Sequence, residues 1–232
     1  MTLKALLAIL LLSSCSSLNP TKTHFSSEKK NTLSIFFTNN INGELEPCGC
    51  RHFPLGGIDN AHAIMENTKK KSHVFFVDTG DTYFQTAFAD QDKQKSLKAQ
   101  SKYLSTALEQ VGLKLKVLGD QDFGMGVDFL KKLTKSASYS IIGSNIKDES
   151  KITHTKYHHL TFGKHQIYFL GITDPETIVD KGKEAFSNPV TGIQNGVKVI
   201  TSKGFQKDNP FHHLILLSHS GMEKDKFYAR EF

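Results

Sequence analysis

Tryptophan is absent from this chain, and 232 residues contain only three cysteines and six prolines. So little cysteine excludes a small disulfide-stapled scaffold, and so little proline and glycine periodicity excludes a collagen-like chain. No apolar run is long enough to span a bilayer as a helix; Ala5 to Leu12 is the longest, at eight residues. Internal repeats and low-complexity tracts are missing too. No block of like charge exceeds Lys69-Lys70-Lys71, although 29 Lys+Arg against 23 Asp+Glu leave a net charge of +6. Without a basic stripe interleaved with stacking aromatics, a nucleic-acid polymer is not an expected partner. What is present is ordinary globular material: 38% hydrophobic residues, 22% charged residues and 17 Phe, enough apolar area for one real core.

The first fifteen residues bear on the compartment. Lys4 gives a short positive start, Ala5 to Leu12 an apolar stretch, and Leu12-Ser13-Ser14-Cys15 ends it. Such a stretch suits a cleaved signal rather than a membrane span. The small residues before Cys15 resemble a bacterial lipobox, which implies cleavage before Cys15 and acylation of its sulfur and new amino group. The lipid membrane is then a partner, and the mature protein is expected to be anchored in the bacterial cell envelope, facing the periplasm or the outside. Residues 1–14 read as a lipoprotein signal peptide, 15–31, rich in Ser, Thr, Lys and Asn, as a flexible tether, and 32–232 as one domain.

Cys48 and Cys50 remain, two positions apart, with His52 two further on. A Cys-x-Cys bridge closes a very small ring and would be strained and easily reduced, so metal binding or redox chemistry competes with a structural staple. On an extended segment the three side chains project to one side and can meet one soft or borderline cation. Loop cysteines beside a solvated histidine are the bland alternative.

Strands are expected at 33–38, 73–78, 114–118, 139–143, 157–162, 166–172 and 213–217, with helical spacing at 58–68, 97–111 and 127–133. Alternation of the two implies a largely parallel α/β sheet, with 157–172 folding as a hairpin at Gly163-Lys164. The strand ends carry the chemistry: Thr38-Asn39-Asn40-Ile41-Asn42-Gly43, Asp78-Thr79-Gly80-Asp81, Gly119-Asp120-Gln121-Asp122-Phe123-Gly124 and Ser218-His219-Ser220-Gly221. In an open α/β sheet the carboxyl ends of the strands share a crevice, so four distant turns can meet.

Together these turns resemble the calcineurin-like metallophosphoesterase superfamily, most closely its 5'-nucleotidase and UDP-sugar hydrolase branch, over residues 33–232. The resemblance implies an α/β sandwich of two mixed sheets flanked by helices. One or two divalent metal ions (Zn, Mn or Fe) would sit at the strand ends, binding a small phosphate-ester substrate and activating water. Asp81 matches the bridging carboxylate and His219 a metal-binding imidazole. Asp120 stands at a ligand Asn, whereas Asn40 and Asn42 replace the ligand Asp and His, and Gln121 replaces the His that steadies the leaving oxygen. The branch's final Gly-His-x-His does not occur before Phe232, so the sandwich is expected to be incomplete at the C-terminus.

Glu46-Pro47-Cys48-Gly49-Cys50 and Pro54-Leu55-Gly56-Gly57 resemble a lipid-anchored or secreted subgroup of that branch. In this chain Cys48 and Cys50, together with His52, are expected to replace the missing first-turn ligands and hold one metal against Asp81 and His219. Two function classes follow: a 5'-nucleotidase-like, metal-dependent phosphoesterase with Asp81, Asp120 and His219 as ligands, or a non-catalytic descendant that binds metal or does thiol-redox chemistry through Cys48 and Cys50. Asp78 reads as the polar end of a buried strand, Asp122 as a turn cap, and Asn145 as a loop hydrogen-bonder.

Overall fold

The computed structural model describes residues 22–25, 31–50, 52, 55–88, 91–179 and 181–232. The signal segment and Cys15 lie outside them. The described strands form two four-stranded sheets. One runs β2 (Leu33–Thr38), β3 (His73–Asp78), β4 (Leu113–Lys116) and β5 (Ser140–Ile141), paired in that order. The other runs β1 (Lys22–Phe25), β6 (Tyr157–Phe162), β7 (His165–Thr173) and β8 (His212–His219). Four residues of the stretch read as a tether thus form a strand, parallel to β6.

The first sheet is parallel throughout, not mixed as expected. Its strands are joined by helical crossovers, α1 (Ile58–Lys69), α2 (Gln94–Val111) and α3 (Val127–Lys135), and a crossover returns the chain in the same direction. The second sheet is mixed. A tight turn at Gly163, φ +55°, makes β6 and β7 antiparallel, whereas α4 (Pro189–Ser202) carries the chain back to a β8 parallel to β7.

Alternation within the strands builds the layers. Phe75 and Val77 of β3 face the second sheet and pack with Leu115, Val117, Leu160 and Phe169, all between 0% and 1% exposed. Full burial of each such side chain stabilises by about 1.5–3 kcal/mol. Phe76, one residue out of phase, points the other way, into a cluster with Met65 of α1, Leu104 and Leu108 of α2 and Leu130 of α3. On the far face of the second sheet, Tyr168 and Leu170 meet Ile200 of α4. The order of layers is therefore helix, sheet, sheet, helix.

Local chemistry ends the helices where the pattern says it should. Gly112 stops α2 in the left-handed conformation, φ +97°, and its N–H returns to the helix carbonyls. Asn188 caps α4 by accepting the Thr191 N–H at 3.3 Å, with Pro189 in the first turn. After β8 the chain enters α5 (Met222–Glu231). Among the described residues no helix is long and apolar enough to cross a membrane.

Candidate metal centre

Parallel strands deliver their carboxyl ends to one side, so the turns after β2, β3 and β4 emerge together, and β8 brings His219 from the second sheet. The first two turns are stitched to each other: the Asn40 N–H donates to Gly80 O and the Asn42 N–H to Asp81 O, both at 2.9 Å. Asn40, Asn42 and Asp81 all take positive φ, +50°, +54° and +56°. Such conformations cost roughly 1–3 kcal/mol each outside glycine and persist only where neighbours over-determine them. Here they turn the Asp81 carboxylate inward.

Asp81, Asp120 and His219 converge, with one ligand atom from each within 4.8 Å of the others. His219 Nε2 lies 3.2 Å from Asp120 Oδ1 and 3.5 Å from Asp81 Oδ1. Its other ring nitrogen, Nδ1, sits 2.8 Å from Thr79 O and donates to it, which fixes the ring and aims Nε2 at the carboxylates. The Gln121 N–H holds Asp81 Oδ1 at 2.8 Å. Space is made by a glycine: a Cβ on Gly119 would fall 2.2 Å from Asp81 Oδ1 and 2.8 Å from His219 Cε1.

Burial opposes a charge on His219, but the Asp81 carboxylate and the Thr79 carbonyl outweigh it and raise the imidazole pKa to about 9. Asp81 dominates over the nearer Asp120 because its side chain is 5% exposed against 25%, so water screens it less. The pocket draws positive charge. Two carboxylates and an imidazole whose far nitrogen is tied to a backbone carbonyl suit a divalent ion such as Zn, Mn or Fe.

Beneath this cluster lies an ionic network that sequence reasoning missed. Lys116, at the end of β4, is fully buried, and its Nζ reaches Asp78 Oδ1 at 2.9 Å and Asp122 Oδ2 at 3.0 Å. It also donates to Thr82 Oγ1 and lies 4.8 Å from the centre of the Tyr83 ring. The paired carboxylates outweigh the burial and hold the ammonium charged. Asp122 accepts the Thr82, Tyr83 and Gly119 N–H groups at 2.8, 3.1 and 2.9 Å, and Asp78 accepts that of Gly80 at 3.1 Å. These two aspartates are therefore scaffold for the turns that carry Asp81 and Asp120. The Leu113-Lys114-Leu115-Lys116 alternation gives both lysines the same reading, yet Lys114 is exposed and Lys116 buried, so the pattern alone could not separate them.

Among the described residues, no other expected His or Cys ligand joins the cluster. The Asn40 side chain is exposed. Asn42 is half-buried and engaged elsewhere: oriented so that its amide nitrogen meets acceptors, Gln121 donates to Asn42 Oδ1 at 3.1 Å, Gln85 O at 2.9 Å and Phe84 O at 2.7 Å. Cys48, Cys50 and His52 are exposed on the loop before α1 and are absent from the Asp81, Asp120 and His219 cluster. The Cys48 N–H donates to Leu55 O at 2.8 Å, which ties this segment to the residues just before α1. Cys48 lines a cavity of about 700 Å³ beside the first turn, together with Phe37, Ile41, Asn42, Glu44 and Leu55. Asn145 takes the structural role read for it, donating to Thr173 O at 2.7 Å and Ser187 O at 2.9 Å.

No protein-family model matches the sequence, and neither does any curated protein. Solved structures do match. A 5'-nucleotidase precursor from Thermus thermophilus superposes with a TM-score of 0.68 at 23% identity, over 85% of this chain and 39% of that one. An NAD nucleotidase from Haemophilus influenzae gives 0.64 at 19%, over 85% and 36%. The calcineurin-like phosphoesterase YfkN from Bacillus subtilis gives 0.61 at 18%, over 83% and 63%. The chain has the calcineurin-like phosphoesterase fold, and it spans about two fifths of the length of the two nucleotidases.

Proposed function

We propose that the protein is a metal-dependent phosphoesterase-like hydrolase in which Asp81, Asp120 and His219 hold one divalent cation against a small phosphate ester. The observation that carries this reading is the convergence of those three ligand atoms, within 4.8 Å, at the carboxyl ends of strands from both sheets. The fold shared with 5'-nucleotidases and a calcineurin-like phosphoesterase supports the same class of chemistry. One cation is proposed rather than two because Asn40 and Asn42 bring only neutral amides to the first turn, and Asn42 is held by Gln121.

A cation bound there would supply Lewis-acid stabilisation of phosphate charge and acidify a water molecule. The chain's own residues do the positioning. Thr79 O orients the His219 ring, the Gln121 N–H fixes one oxygen of Asp81, and Gly119 leaves the space between them. Lys116 below holds the turns in register without touching substrate. Acylation of Cys15 would tether the enzyme in the bacterial envelope, which the short apolar N-terminus supports. Hydrolysis of bis(p-nitrophenyl) phosphate and p-nitrophenyl phosphate with Mn²⁺ or Zn²⁺ tests the reading. Activity that Asp81→Ala abolishes is expected; activity unchanged by that substitution, or none with any divalent metal, overturns it.

A further inference from the structure

The metal centre leaves the Cys48-Gly49-Cys50 segment unused. Its geometry is that of a held sulfur. The Leu55 N–H donates to Cys48 Sγ at 3.1 Å while the Cys48 N–H donates back to Leu55 O at 2.8 Å, so the sulfur is clamped from across the loop. Hydrogen bonding, that of the Leu55 amide foremost and that of Cys50 after it, draws the Cys48 thiol below the usual range. At the loop stem Pro47 packs so closely on Gly57 that a Cβ there would be 2.7 Å from the proline ring. Its tip is open: both thiols are exposed, and a Cβ on Gly49 would meet nothing within 4 Å. Cys48 faces a cavity of about 700 Å³ whose walls include Phe37, Ile41 and Leu55 and whose charged lining is Glu44 and Glu46, with no Lys or Arg among the described lining residues.

We propose that Cys48 and Cys50 form a thiol–disulfide exchange pair that reduces a low-molecular-weight, cationic disulfide lodged in this cavity. The Cys48 thiolate attacks one sulfur of the substrate disulfide. That bond breaks, the departing thiolate takes a proton from water, and a mixed disulfide joins Cys48 to the other half. Cys50 then loses its proton to solvent and attacks the Cys48 sulfur, closing a Cys48–Cys50 disulfide and expelling the second thiolate. Two electrons pass from the protein dithiol to the substrate, and two small thiols leave per chain. The ring so formed is strained and easily reduced, so excess substrate disulfide is what drives its closure, and an external dithiol returns the pair to its reduced state. The carboxylates of Glu44 and Glu46 favour a cationic disulfide over an anionic one.

The test uses the full chain with two probes, cystamine, a dication, and 3,3'-dithiodipropionate, a dianion. Each rate is normalised to that of the same probe with N-acetylcysteine amide, and products are read by mass spectrometry of the peptide carrying residues 48–50. Wild type is expected to release two thiols per chain, end as the Cys48–Cys50 disulfide, and prefer cystamine. Cys50→Ser is expected to stop at a mixed disulfide on Cys48, and Cys48→Ser to slow the reaction by about tenfold or more. Circular dichroism spectra matching wild type show that both variants fold. A Cys48→Ser variant that reacts at the wild-type rate, a wild type that stops at the mixed disulfide, or a preference for the dianion overturns the proposal. Phosphatase activity is independent of every one of these readings.

Discussion

Replacing Lys116 by methionine probes the foundation of the site. Methionine preserves most of the side-chain volume and removes the ammonium that lies 2.9 Å from Asp78 Oδ1 and 3.0 Å from Asp122 Oδ2, where all three side chains are 0% exposed. Two carboxylates would then stand buried without their counter-charge, and breaking a buried pair from one side costs about 3–5 kcal/mol. Against a typical total stability of about 5–15 kcal/mol this is a large fraction. For a domain of this size it corresponds to a fall in Tm of about 10 °C, taking about 2–4 °C per kcal/mol. Urea and thermal denaturation of wild type and Lys116→Met at pH 7.5 measure the effect. A loss below about 1 kcal/mol would refute the view that this lysine neutralises the two aspartates.

Other perturbations have equally definite outcomes. Burial lowers the His158 pKa to about 4, with His159 adding to the effect, and its ring stacks on Phe75 at 5.5 Å. Because the folded pKa is depressed, the neutral ring's contribution is complete above about pH 6.5 and is lost as pH falls from there to about 4, amounting to about 3 kcal/mol. Stability measured against pH for wild type and His158→Phe should differ in slope over that window; parallel curves would count against a neutral buried imidazole. Gly192→Ala should destabilise by about 1–3 kcal/mol in chemical denaturation despite alanine's better helix propensity, since the new Cβ would lie 2.5 Å from Asn145 Cβ. An unchanged or raised midpoint would show that α4 can move away from Asn145. Thr79 orients His219 through its carbonyl, so Thr79→Ala should leave metal affinity within about threefold, the backbone oxygen being retained. A loss comparable to that of a ligand variant, read by titration calorimetry, would place the hydroxyl rather than the carbonyl in control.

Much of the fold was legible because its strands are short, apolar and bounded by turn residues. β2, β3 and β6 fall where alternation and composition put them, and the stripe from Leu97 to Val111 becomes the buried face of α2. α4 went unread. Its sequence, Pro189 to Ser202, carries Gly192 and Gly196 and several β-branched residues, all poor helix formers in isolation. The structure explains the glycines through packing: a Cβ on Gly196 would come within 3.0 Å of Leu170, so the helix seats close against the sheet only because they are bare. β1 was hidden by its polar composition, since a parallel edge strand can form from backbone hydrogen bonds without an apolar pattern.

At the site, Asp81, Asp120 and His219 were readable because strand-end turns in an α/β sheet converge by topology alone. The dithiol was placed with them by spacing, and spacing says nothing about which way a loop folds; the reciprocal hydrogen bonds between Cys48 and Leu55 turn it toward the neighbouring cavity. The role of Gln121 was equally out of reach. Its place in the third turn marked it as a substitution in the catalytic machinery, but only three-dimensional proximity shows the amide spent on Asn42 and two backbone carbonyls.

The most direct test is metal stoichiometry on the purified full chain, read by elemental analysis and by Zn²⁺ and Mn²⁺ titration calorimetry on wild type, Asp81→Ala, His219→Ala and the Cys48→Ser/Cys50→Ser double variant. One tightly bound ion per chain is predicted for wild type and for the double thiol variant, with affinity falling about a hundredfold or more when Asp81 or His219 is removed. Metal that stays with the Asp81 and His219 variants but leaves with the two cysteines would contradict the account at its centre.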